Sequence, residues 1–207
     1  MANRAIRTVT LLDYGVGNLR SVERALEAAG ARVIRSEDVD VAAGGALVLP
    51  GVGAFRAAKE RLGARFMELR QYIDEGRPLL GICLGMQLLF ERSFEHGEHE
   101  GLGAFAGTVE ALPAHVVVPH MGWSQISTGE VVYFCHSFGV RALKQDRGPA
   151  DGIGTAVKIA TVDHGGAWTA SVQRENVQAF QFHPEKSGPT GLLLLRRWLD
   201  RAFAETP

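Results

Sequence analysis

Cysteine is scarce: the 207-residue chain contains two. Two cannot build a disulfide scaffold, so the fold must rest on an apolar core, and both thiols are expected to be reduced. Long apolar runs are also missing. The longest candidate, "GLLLLRRWL", is interrupted by Arg196 and Arg197 and falls far short of the ~18 residues of a membrane span. No charge sign dominates, with 22 Lys and Arg against 23 Asp and Glu and a net charge of −1. That balance removes any bulk attraction to nucleic acid or anionic lipid. The opening "MANRAIRTVTLLDYG" lacks the apolar core and small-residue cleavage site of a secretory signal. Together these absences lead us to expect a cytoplasmic protein with neither a membrane nor a nucleic-acid partner. Repeats, low-complexity tracts and linkers are absent as well, so residues 1–207 are expected to form a single domain.

What is present is alternation. "IRTVTLLDYG" reads as a strand ending in a glycine turn, and "NLRSVERALEAAG" as a helix with Leu19, Val22, Leu26 and Ala29 on one face. Asn18 is placed to cap that helix and Gly30 to stop it. "RVIR", "GALVLPGVGAF" and "PLLGIC" follow as strands, and "AAKERLGARFMELRQYIDEG" as one long helix. Continuous apolar strands separated by helices predict an α/β fold. Its core should be a doubly wound, mostly parallel central sheet with helices on both faces. After Gly101 the segments become short and β-rich, which predicts an antiparallel β extension in the second half. "ALKQDRGPADGIG" reads as a loop there, and "AWTASVQRENVQAFQF" as a hairpin turning near Arg174 to Asn176. A helix over Pro189–Ala204 closes the chain.

Three segments carry chemistry. In "PLLGICLGMQLLF", Cys83 lies between Gly81 and Gly85 where a strand should turn into a helix. A nucleophile on such a strained turn needs small neighbours, and the helix N-terminus favours a thiolate. The Leu84 N–H would point to where an oxyanion forms. The alternative is a buried structural cysteine. In "FHPEKSG", alternation along an extended segment puts His183 and Glu185 on one side, with Pro184 fixing the extended path. His183 could then take the thiol proton and Glu185 orient the ring; the alternative is an ordinary surface loop. In "LPGVGAF", Gly51 and Gly53 allow close backbone approach, and an N–H of Gly51 or Val52 could complete the oxyanion site. A plain βα turn is the alternative there.

"PGVG", "GICLGMQLLF" and "HPEKS", in this order, resemble the class I (triad) glutamine amidotransferases. More narrowly, "DYGVGNLRSVERALEAAG", "LPGVGAF", "PHMGWSQI" and "HPEKSG" resemble the glutaminase subunits of imidazole glycerol phosphate synthases in histidine biosynthesis, essentially end to end. The resemblance implies a Cys83–His183–Glu185 triad that hydrolyses glutamine to glutamate and ammonia. It implies an oxyanion hole from Leu84, Val52 and Gly51. Glutamine contacts would come from Gln87, Gly51, Val52 and Ser137. It also implies a (β/α)8-barrel cyclase partner, which uses the ammonia to make imidazole glycerol phosphate and aminoimidazole carboxamide ribonucleotide. Asn18, Met121, Trp123 and Lys186 map onto the family's interface with that partner, and the "PGVG" loop is implied to complete the oxyanion hole only when the partner is loaded. No metal or cofactor is implied. The related pyridoxal phosphate synthase glutaminase carries Gly-Gly-Glu-Ser where this chain has "PGVG", which sets it apart. Two positions depart from the family pattern: Ser124 stands where Asn is usual, and Phe138 where Tyr is common.

Other polar groups invite no role. Cys135 and His136 read as a packed strand, and "FEHGEHEG" as an exposed polar loop despite its metal-like composition.

Overall fold

The computed structural model describes residues 6–39, 45–142 and 156–204. The loop expected over "ALKQDRGPADGIG" lies almost wholly outside the described residues. In chain order the first half holds β1 (Thr8–Leu12), α1 (Leu19–Ala29), β2 (Arg32–Ser36), β3 (Ala46–Leu49), α2 (Phe55–Leu62), α3 (Arg65–Asp74), β4 (Leu79–Ile82) and α4 (Leu84–Leu88). The second half holds β5 (Phe90–Ser93), β6 (His99–Glu100), β7 (Phe105–Ala111), β8 (His120–Gln125), β9 (Val131–His136), β10 (Phe138–Val140), β11 (Lys158–Asp163), β12 (Ala167–Arg174) and β13 (Val177–Phe180). A 3-10 turn (Pro184–Lys186) and α5 (Gly188–Ala202) complete it.

Seven strands form the central sheet in the order β11-β12-β13-β4-β3-β1-β2. β2, β1, β3, β4 and β13 run parallel, while β12 and β11 add an antiparallel edge. Alternation within each parallel strand feeds two cores. Leu12, Leu47, Leu49 and Leu79 face one side with Phe55, Leu62, Leu69 and Tyr72 from α2 and α3. Val9, Leu11, Val48 and Leu80 face the other with Val22 and Leu26 from α1 and Leu195, Trp198 and Leu199 from α5. Strands covered on both faces need apolar residues throughout, which is why "ALVL" and "LLGI" carry no polar side chain. Helix α1 begins and ends as its sequence suggests: the Asn18 side chain accepts from the Ser21 N–H, and Gly30 takes a left-handed conformation at φ 105°.

Several boundaries differ from the sequence expectation. The long helix is two, because Gly63 adopts φ 52°, ψ −124° and breaks the ladder between Leu62 and Arg65. The helix after Cys83 lasts five residues, since Phe90 is drawn into pairing with Phe105 of β7. The β extension therefore starts before Gly101. It is a four-stranded sheet, β10-β7-β5-β6, with β5 and β7 parallel, plus the separate hairpin β8–β9. "VVYFCHSFGV" divides at Ser137 between those two sheets. No helix among the described residues is long and apolar enough to cross a membrane.

Candidate active site

Cys83 follows β4 on a turn that few residues tolerate, with φ 53° and ψ −107°. Such a conformation costs on the order of 1–3 kcal/mol and persists only where the surroundings enforce it. Here they do. The Cys83 N–H donates to the Phe180 carbonyl at 2.7 Å, and its own carbonyl accepts from the Gln87 N–H at 3.1 Å. Both flanking glycines are required by space. A Cβ at Gly85 would collide with the Leu49 carbonyl, and one at Gly81 would lie 2.8 Å from the Gly85 carbonyl. With only five residues in α4, the helix dipole at Cys83 is short. The nearer source of positive charge is an imidazole.

That imidazole is His183, 3% exposed. The path Pro184–Lys186 is a 3-10 turn, not the extended segment that alternation suggested. Proline's φ suits the first position of a helical turn as well as it suits a strand. The turn brings Glu185 Oε1 to 2.7 Å from His183 Nδ1, with both side chains buried. The other oxygen, Oε2, is buried without a hydrogen-bond partner among the described residues. Ser187 anchors the turn: its Oγ donates to the His183 carbonyl at 2.6 Å and accepts from the Tyr133 N–H at 2.9 Å. Nε2 is left for Cys83. Burial works against a charge on the ring, but hydrogen bonds to Cys83 and Glu185, and the charges of both, outweigh it and raise His183 to about 10. His183 therefore holds a proton at neutral pH, which departs from the expectation of a resting base. The protonated ring supplies beside the sulfur the positive charge that the short helix does not.

The "PGVG" segment lies against the elbow with its carbonyl inward. The Leu84 N–H donates to the Gly51 carbonyl at 3.3 Å. The expected oxyanion donor is thus occupied by the loop that was expected to supply a second donor. Tyr14 secures the preceding peptide, its hydroxyl donating to the Pro50 carbonyl at 2.6 Å. Burial, followed by the charge of Cys83, raises the Tyr14 phenol and keeps it a neutral donor. Gly51 is pinned between Tyr14 Oη and Leu84 Cβ, which a Cβ would approach to 2.7 and 2.9 Å. Gly53, at φ 102°, has open space around it, and Val52 is 43% exposed. The Gly51–Val52 peptide is therefore held on one side and free on the other.

A cavity of about 320 Å³ opens over the sulfur, and Val52, Gln87, Ser137 and His183 line it. Glu95 lines it too, 8% exposed, with Oε2 accepting from the Phe55 N–H at 2.7 Å. Sequence reasoning missed Glu95 by treating "FEHGEHEG" as exposed; its burial comes from the turn between β5 and β6, which has no local signature. Gln181, 1% exposed, was missed as well. A signal existed for it, since it sits two residues before His183 and so shares its side of an extended chain.

The remaining residues spread over a neighbouring surface. Met121 and Trp123 stand exposed on β8, at 60% and 57%, so Trp123 is not a core residue. Lys186 is exposed at the cavity rim with Nζ 5.8 Å from the Tyr133 ring centroid. Asn18 caps α1, away from the cavity lining. Ser124 turns its hydroxyl inward to His120 Nε2 at 2.8 Å. Phe138 meets the His96 ring edge-on at 6.0 Å. Cys135 is a free, half-buried thiol whose carbonyl lies 4.0 Å from Cys83 Sγ.

A cysteine on a strained elbow, an imidazolium beside it and a carboxylate behind it, at the carboxyl edge of a parallel sheet, define a class of thiol-dependent acyl-transfer sites. The comparisons narrow the class. The family glutamine amidotransferase class-I matches residues 10–201. A crystal structure of a glutamine amidotransferase shares the fold at TM-score 0.72 and 23% identity, covering 94% of this chain and 98% of that one. PurLQS from Thermotoga maritima does so at TM-score 0.61 and 18% identity, covering 93% and 97%. The chain belongs to the class-I glutamine amidotransferases. Within them it is similar to imidazole glycerol phosphate synthase subunit HisH. The identity is 45% to the Aquifex aeolicus protein, covering 95% of this chain and 98% of that one. It is 47% to the Exiguobacterium sibiricum protein, covering 96% and 97%.

Proposed function

We propose that the chain is the glutaminase subunit of an imidazole glycerol phosphate synthase, acting as one catalytic unit in the cytoplasm beside a (β/α)8-barrel cyclase. The observation that carries this is the buried Cys83–His183–Glu185 contact beneath a cavity that also holds Gln87 and a buried carboxylate. Cys83 Sγ attacks the side-chain carbonyl carbon of glutamine. As the C–N bond breaks, His183 passes its proton to the departing nitrogen, and ammonia leaves a glutamyl thioester. Water, giving a proton back to His183, releases glutamate and restores the pair. Glu185 supports the imidazolium through each half of the cycle.

The developing oxyanion needs the Leu84 N–H, which the Gly51 carbonyl occupies at rest. Turning the Gly51–Val52 peptide would free that donor and add the Val52 N–H to it. The exposed face of Met121 and Trp123, with Lys186 and the Asn18 turn, is the surface we assign to the cyclase; Trp and Met are favoured interface anchors. Ammonia delivered across such a contact stays out of bulk water, where it would be mostly protonated. The test is glutamine hydrolysis by the subunit alone and with a cyclase subunit carrying its ligand. A freed oxyanion donor should raise the rate by about 10²–10³-fold. Equal rates in both states would remove the peptide turn and the partner from the account.

Glu95 is placed to bind the α-ammonium of glutamine. Glu95→Gln keeps the acceptor for the Phe55 N–H and removes the charge. In the complex, KM for glutamine should rise about tenfold to a hundredfold, as for loss of a charged hydrogen bond, with kcat nearly unchanged. Steady-state glutaminase kinetics check this.

A further inference from the structure

Gln181 sits where two parts of the site meet. Its Nε2 donates to Cys83 Sγ at 3.8 Å, and its Oε1 accepts from Gln87 Nε2 at 3.1 Å. The second N–H of the Gln87 amide goes to the Phe138 carbonyl at 2.8 Å. That carbonyl is itself pinned. It also accepts from His136 Nδ1 at 2.8 Å, so the His136 proton is on Nδ1 and Nε2 must accept. The donor to Nε2 is His120 Nδ1 at 3.2 Å, which leaves His120 Nε2 to accept from the Ser124 hydroxyl. Burial first, and neighbouring histidines with it, lowers both rings to about 4, so the chain is neutral and its direction is fixed. Gln87 is thus clamped from two sides. Both of its amide protons are spent, and Oε1 is the acceptor it has left for a substrate.

We propose that Gln181 is a positioning residue that ties the Cys83 sulfur to the Gln87 carboxamide, so that nucleophile and substrate-orienting acceptor keep one mutual geometry. The Gln87 half rests on the glutaminase reading; the sulfur half does not. Only a carboxamide does both tasks here, donating to sulfur at one end and accepting from an amide at the other. A carboxylate presents acceptors at both ends and repels a thiolate. A methionine fills the volume and offers no donor. The other titratable groups around the site stay in place in either variant: His183 and Lys186 at the 3-10 turn, Glu185 behind the ring, His136 on β9, Tyr14 after β1 and Glu95 after β5.

The test uses Gln181→Met and the isosteric Gln181→Glu, the second serving if the first does not fold. Iodoacetamide labelling of Cys83 is followed against pH, with the labelled peptide resolved from that of Cys135 by mass spectrometry. A donor lost from the sulfur should move the acid limb of labelling to higher pH by about one unit in Gln181→Met, a tenfold change at the foot of the curve, and further in Gln181→Glu. In the complex with the cyclase, KM for glutamine should also rise, by about tenfold, in Gln181→Met, as Gln87 loses its anchor, and change little in Gln181→Glu, whose carboxylate still accepts from Gln87 Nε2. A merely structural role would not move the labelling profile. Coincident profiles for the parent and a folded variant overturn the proposal. A shifted profile with KM unchanged in Gln181→Met, or with KM raised about tenfold in Gln181→Glu, overturns the Gln87 half. If glutamine fails to slow labelling of the parent, it is the glutaminase reading that fails, and the profiles still decide the sulfur contact.

Discussion

Cys83→Ala should abolish glutamine-dependent turnover by the complex and leave ammonia-dependent synthesis by the cyclase intact. Loss of the nucleophile from a serine triad costs on the order of 10⁶-fold, and no other group at this elbow replaces the sulfur. The substitution isolates chemistry from folding. Alanine keeps the Cβ, so the strain at φ 53° is the same before and after. The backbone bonds to Phe180 and Gln87 do not involve the side chain. What the fold loses is one atom at the floor of a cavity, and the interactions that hold His183 protonated through Cys83. The melting temperature should therefore shift by only a few degrees, while paired assays with glutamine and with ammonium salt separate completely. Glutaminase activity within tenfold of the parent would show that another residue attacks the amide.

The parts of this molecule that the sequence displays are those decided locally. Asn18 and Gly30 bracket α1 because a cap and a left-handed stop act within one turn. "ALVL" and "LLGI" announce strands covered on both faces because burial leaves no polar position. The spacing around Cys83 is legible for the same reason, since Gly81 and Gly85 answer to atoms of the turn and of its neighbour strand. What stays hidden is decided by partners distant in sequence. "MQLLF" has the makings of a longer helix, yet Phe90 pairs with Phe105. Glu95 looks solvated in its tract and is buried by the Phe55 amide, 40 residues earlier. His183 and Glu185 meet as alternation suggested, but through a 3-10 turn that Ser187 ties to β9. Nor does any motif show which way the Gly51–Val52 peptide faces, because the sequence is compatible with either orientation and the Leu84 N–H selects one.

Glu185→Gln should lower kcat by about 10⁴-fold with little change in KM, the size of effect that loss of the orienting charge has in a serine triad. The amide oxygen of glutamine can still accept from His183 Nδ1, so the ring keeps its place and loses its counter-charge. The pH dependence follows from the sign of the shift. His183 is raised from 6.5 to about 10, with Cys83 and Glu185 prevailing over burial. A raised histidine stabilises the fold fully below its unfolded value near 6.5 and ceases to do so as pH climbs through about 10. Removing Glu185 takes away part of that stabilisation. The variant should therefore be less stable than the parent near pH 6, and the gap should narrow as pH approaches 10. Urea unfolding at a series of pH values measures it. The alkaline limb of Cys83 labelling, which reports loss of the imidazolium, should move to lower pH in the same variant. A uniform stability loss across the range, with an unmoved alkaline limb, would mean that Glu185 only fills space. Its charge would then have no part in holding the proton that the departing ammonia must receive.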